Sequence, residues 1–277
     1  MWSERITIFC FGASYGLALL LELLHLFRPR PVLRLLGAVL GGAGLFAHTL
    51  YLAHLLIAAD QRPLLSSPFG SLLVLAWILA IFYVYGSIHH RRQAWGVFVL
   101  PVVLGLVVLS WALRGNASDA NTPDWLRGER FLGTLHGTLL LLAAVGVCVG
   151  FLASVMYLVQ ARRLRAKTLP GQGVRLLSLE RLEAMNRRAI VTAFPLLTAG
   201  VLMGLFLLIP RRAEIQGWTD PRILGAAVLW LVFALLVYLR YGYHLRGRRV
   251  ALLTIVAFIL LVVTLASSHT VVQGGMR

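Results

Sequence analysis

Residues 132–160 read LGTLHGTLLLLAAVGVCVGFLASVMYLVQ, a run without a single Asp, Glu, Lys or Arg. About 20 mostly apolar residues in a helix cross the ~30 Å hydrocarbon core of a bilayer, so this run is long enough to span it. Inside a membrane the backbone must satisfy its own hydrogen bonds, which selects a helix. The alternating polarity of a membrane β-barrel strand is absent.

Working outward, the same reading repeats. Apolar runs at about 6–27, 33–59, 68–88, 94–113, 189–209, 223–243 and 250–269 are each separated by polar or helix-breaking segments such as Arg28-Pro29-Arg30-Pro31. With 132–160 that makes eight. The chain of 277 residues is 59% hydrophobic and 13% charged, about half the charge of a soluble domain. The sequence therefore predicts an all-α, polytopic integral membrane protein with eight transmembrane helices forming one domain over 1–277. The first run lacks a basic leader and a small-residue cleavage site, so it is expected to be a span rather than a signal peptide.

The net charge of +16 has a topological reading that displaces nucleic-acid binding. The turns after the first, third, fifth and seventh runs carry seventeen of the 26 Lys and Arg, eight of them in the connector 161–188. Basic residues accumulate on the cytoplasmic side, which puts those turns inside and both termini outside. Eight spans also require both termini on one side, so the two statements agree. The connector 161–188 is then a cytoplasmic segment. Within it, Ser178 is a plausible N-cap, with Glu180 and Glu183 early in the helix. Leu176, Leu179, Leu182 and Met185 form an apolar stripe there, which predicts a short surface helix leading into the sixth span. Cys10 and Cys148 fall within spans, have no CxxC spacing, and read as small buried hydrophobes.

The loop 210–222, PRRAEIQGWTDPR, is external in this topology. His136 opens a span that enters from outside, and His269 closes one that exits there. All three features share one membrane face. His48 differs: it lies near the middle of the second span, where an ionisable residue is a functional candidate by default. Each histidine also has a plainer reading. His136 and His269 suit a membrane interface, His48 suits a helix–helix hydrogen bond, and Trp218 suits the aromatic belt. Glu22 and His25 have Glu-x-x-His spacing but no second such pair, which favours a salt-linked or snorkelling pair over a metal site. Gly37/Gly41, Gly146/Gly150 and Gly200/Gly204 have the spacing that lets helices approach closely.

At these residues the chain resembles the CcsA/HemX-type branch of the cytochrome c assembly proteins. The resemblance is carried by Leu177–Arg188 (LSLERLEAMNRR), Phe194–Gly200 (FPLLTAG), Pro63–Trp77 (PLLSSPFGSLLVLAW), Leu135-His136-Gly137, Trp218-Thr219-Asp220-Pro221-Arg222, Trp230–Ala234 and Ser268-His269. It covers about 45–272. It implies a haem-handling membrane protein of cytochrome c biogenesis, binding haem b, with His136 and His269 as axial ligands of the iron. The loop 210–222, with Trp218 and Asp220, would lie over that site, and His48 matches a second, intramembrane haem position. The resemblance also implies a bacterial-type inner membrane, a partner membrane protein and apocytochrome c. The chain departs from the pattern at Thr219, where another Trp is usual, at Tyr238, where a histidine is expected, and at Gly70, where Glu is usual.

The residues agree with this chemistry. Imidazole nitrogen ligates haem iron, and two opposed histidines give six-coordinate iron. Haem propionates need cationic partners. Arg211, Arg212 and Arg222 stand on the external side against the charge bias, suited to bidentate contact with carboxylates. No nucleophile–base pair or phosphate loop is present, so no catalytic residue is assigned. Three functions fit: haem presentation or export for cytochrome c maturation; a HemX-like membrane regulator of haem synthesis; and transport of another solute.

Overall fold

The computed structural model describes residues 2–28, 30–58, 65, 67–89, 94–113, 130–166, 177–208, 221–243, 245 and 247–267. Eight long helices account for nearly all of them: α1 (Trp2–Phe27), α2 (Pro31–Ala58), α3 (Pro68–His89), α4 (Gly96–Leu113), α5 (Arg130–Arg165), α6 (Leu179–Leu208), α7 (Pro221–Tyr241) and α8 (Arg248–Ser267). All eight are long and apolar enough to cross a membrane. The protein is thus an all-helical, multi-pass membrane protein. Leu17, Phe46, Leu202 and Val263 are among the many large apolar side chains left exposed, as lipid contact requires.

The expected surface helix is not a separate element. Leu179 to Leu208 form one continuous helix, because nothing between Ser178 and Pro210 stops it. Pro195 sits inside it without ending it, a substitution membrane helices tolerate. Helix α5 likewise runs past Gln160 through Arg162, Arg163 and Arg165. Leu182 is fully buried rather than lying on a surface stripe.

The chain forms two compact units. In the first, which holds α1 to α4, small residues on α2 admit aromatic rings from its neighbours. Gly44 faces the ring of Tyr15 and Gly41 that of Tyr83, in each case closer than a side chain would allow. Tyr83 is fully buried and donates to Glu22 Oε1 at 3.3 Å. It also lies 3.2 Å from the Gly37 carbonyl. Gly96 presses against the same carboxylate. Glu22 is only 7% exposed, so it is a buried helix-joining group rather than a snorkelling one. Its spacing partner His25 turns to the Arg30 carbonyl, 3.1 Å from Nδ1.

In the second unit, α5 and α6 run antiparallel along a seam of small residues. Gly150 lies near Asn186 and Ala189, Gly146 meets Ala189 and Ala193, Gly200 meets Leu140, and Gly204 meets His136. Each pairing advances one helix by the amount the other retreats, so the seam has one register. A polar clamp closes one end of it. Asn186 Nδ2 donates to Ser154 Oγ at 2.8 Å and reaches the Gly150 carbonyl and Thr254 Oγ1, each at 3.2 Å. Its Oδ1 accepts from Arg240 Nη1 at 3.0 Å, and Arg240 Nη2 lies 3.6 Å from Glu183 Oε1. Arg240 is 8% exposed, so a buried cation on α7 is met by acceptors of Asn186 and Glu183 on α6, while the Asn186 amide nitrogen donates to α5 and α8. Trp230 on α7 donates to Thr198 Oγ1 on α6 at 3.0 Å.

Candidate haem-ligand site

His136 lies in the second turn of α5, where the helix begins at Arg130. Its half-buried ring rests against α6, with Nδ1 2.8 Å from the carbonyl oxygen of Gly200. A carbonyl oxygen can only accept, so Nδ1 carries the proton. In the neutral ring the lone pair then belongs to Nε2, the nitrogen suited to a metal. A carbonyl holding the far nitrogen of a metal-binding histidine is the usual way such a ring is oriented. Gly204 borders the same ring: a Cβ there would stand 2.9 Å from Cε1.

Trp218, Asp220, Arg211, Arg212 and His269 lie outside the described residues, as does the side chain of Arg222 beside the start of α7. Among the described residues, no three His, Cys, Asp or Glu side chains gather as a metal site.

His48, on α2, is completely buried. Its ring stacks on Phe11 of α1, with centroids 4.2 Å apart and planes 2° from parallel. Its Nδ1 lies 3.4 Å from the Tyr15 hydroxyl, while Nε2 has no hydrogen-bond partner among the described residues. Aromatic rings thus enclose this imidazole on the α1 side. Tyr238, at the position where the second intramembrane ligand is expected, is 58% exposed and meets Tyr243 edge-on. Sequence reasoning missed two features. Gly204 as a neighbour of the His136 ring had no signal beyond its spacing from Gly200. The Asn186–Arg240 clamp joins residues 54 apart, which no local pattern links.

The family model for cytochrome c assembly protein matches residues 36–274. The chain belongs to the cytochrome c assembly protein family. It is similar to the cytochrome c biogenesis protein CcsA of Gloeobacter violaceus, at 24% identity over 90% of this chain and 87% of that one. The CcsA protein of a Synechococcus strain is 28% identical over 82% and 81% of the two chains. That of Guillardia theta is 25% identical over 70% and 69%. No solved structure matches the chain. Membership in the cytochrome c assembly family agrees with eight membrane helices and gives this protein a role in cytochrome c maturation.

Proposed function

We propose that this protein binds haem b at the extracytoplasmic face of a bacterial-type inner membrane and presents it for attachment to apocytochrome c. The observation that carries the reading is the state of His136, whose Nδ1–H is committed to the Gly200 carbonyl, leaving Nε2 as the ligating atom. That donor chemistry fits haem iron. His269 would hold the iron with it in this reading, and Trp218 would offer an indole face to the porphyrin. Asp220 belongs to the same covering loop, 210–222. Arg211, Arg212 and Arg222 hold the propionates through charge-assisted contacts. When bound, haem would supply the iron and the porphyrin, and His136 and His269 would hold the iron and shield it from oxygen chemistry. The chain's own part is to bind, orient and shield, and the thiols come from apocytochrome c. A separate membrane protein of the assembly system is the expected partner.

His48 is left out of this site. What supports leaving it out is the fit: an imidazole fully buried among the described residues, stacked on Phe11 and bonded to Tyr15, has no room beside it for a porphyrin, although Nε2 has no partner among those residues. The second unit's Tyr238 supplies no imidazole.

The test is the visible spectrum of protein purified from haem-replete cells. Presentation predicts a bis-imidazole Soret and α/β pattern that weakens when Arg211 and Arg212 are both replaced by Ala. A protein free of haem under those conditions would contradict it. A deletion strain should lose holocytochrome c. Normal holocytochrome c with altered haem precursor levels would instead indicate a HemX-like regulator.

A further inference from the structure

We propose that Gly200 and Gly204 are positioning residues for His136: they form a bare-backbone seat on α6 that fixes the tautomer and the direction of its ring. The proposal rests on the reading of His136 as a haem ligand. In an α-helix the carbonyl of residue 200 accepts the N–H of residue 204 and keeps a second lone pair. Side chains on a helix lean toward its N-terminus, over the turn that precedes them. A side chain at 204 would therefore stand over the Gly200 carbonyl, where the His136 ring now sits. The distances bear this out, for a Cβ on Gly204 would lie 2.9 Å from Cε1, 3.4 Å from Nδ1 and 3.6 Å from Nε2. A contact under 3.0 Å requires something to shift, and a ring that swings away from residue 204 is drawn off the 2.8 Å bond from Nδ1–H to the carbonyl.

Gly200 serves the same seat differently. A Cβ there would come within 2.6 Å of Leu140 Cδ2 and 3.5 Å of the Leu140 backbone nitrogen. Leu140 is one turn beyond His136 on the same face of α5. The bare Gly200 thus lets α5 lie close enough for its histidine to reach the carbonyl. Spacing of four residues puts the two glycines one turn apart, one under Leu140 and the other under His136. The pair works as a histidine seat as well as a helix-packing device.

The experiment compares full-length Gly204→Val, Gly204→Ala and His136→Gly with the unaltered protein. One readout needs no haem: the ¹⁵N spectrum of histidine-labelled, haem-free protein, with the His136 signals identified by their loss in His136→Gly. The unaltered protein should show the Nδ1–H tautomer at His136, and Gly204→Val should shift it toward the Nε2–H form. The second readout is the bis-imidazole haem spectrum. Disturbing an outer partner of a metal-binding histidine costs roughly 10- to 100-fold in affinity. Gly204→Val should therefore lower haem retention at least tenfold, and Gly204→Ala less. Added imidazole should restore the spectrum in both Gly204→Val and His136→Gly, which shows the fold intact. If the valine variant does not accumulate, Gly204→Ala carries the test through the tautomer shift. An unchanged tautomer and spectrum in the Gly204 variants overturn the seat. A haem spectrum unchanged in His136→Gly overturns the ligand reading instead, so the two failures are distinguishable.

Discussion

The Nδ1 atom of His136 lies 2.8 Å from the carbonyl oxygen of Gly200, across the contact between α5 and α6. This bond ends a seam whose other end is the Asn186 clamp, and the register between the two is held by Gly146 and Gly150. A buried polar network in the second unit therefore fixes where a single imidazole stands. Candidate site and helix packing share the same residues.

The clamp should be cooperative. Asn186→Leu leaves Arg240 Nη1 without its acceptor, and hydrogen bonds to charged groups contribute about 1.5–3 kcal/mol. We expect a loss of about 2 kcal/mol, measured by denaturant unfolding in detergent. Combining it with Arg240→Met should cost less than the two single changes summed, because the buried guanidinium that lost an acceptor is gone. Strict additivity would show that the two residues act independently.

In the first unit, neighbouring glycines should respond in opposite ways. A side chain at Gly41 would collide with the Tyr83 ring, whereas nothing lies within 4 Å of one at Gly42. Gly41→Ala should destabilise by about 1–3 kcal/mol through overpacking. Gly42→Ala should be neutral or stabilise by up to about 1 kcal/mol, since Ala is the better helix former. Equal effects in thermal unfolding would contradict the packing described here.

The intramembrane histidine separates packing from ligation. His48→Leu should leave the haem spectrum of the purified protein unchanged and alter its stability only modestly. It loses the stack on Phe11, but it also removes a buried Nε2 that has no partner among the described residues. Loss of half the bound haem in this variant would establish a second site.

The distribution of basic turns predicts which side of the membrane each loop faces. In a Cys10→Ala/Cys148→Ala background, Gly217→Cys in the loop 210–222 should react with a membrane-impermeant maleimide in intact cells. Gly171→Cys in the connector 161–188 should react only after permeabilisation. The reverse pattern would invert the topology and place the loop 210–222 away from the proposed site.

The spans were legible in the sequence because each is an apolar run bounded by charge or proline, and a bilayer leaves such runs one backbone solution. Element ends were less so. The continuous helix from Leu179 to Leu208 joins a charged first half to an apolar second half, and hydropathy registers only the second. Glu22 illustrates another limit. Its nearest histidine in sequence is His25, yet its hydrogen bond comes from Tyr83, 61 residues away. Spacing along one helix cannot reveal a partner on a third. At the candidate site, His136 stood out by type and place. The role of Gly204 depends on the register of α5 against α6, and the long connector between them leaves that register open until the helices are packed.

The most direct measurement is the absorption spectrum of the purified protein beside that of the His136→Ala/His269→Ala double variant. A bis-imidazole haem spectrum is expected in the first and its loss in the second, at comparable levels of folded protein. The same spectrum in both would contradict that expectation.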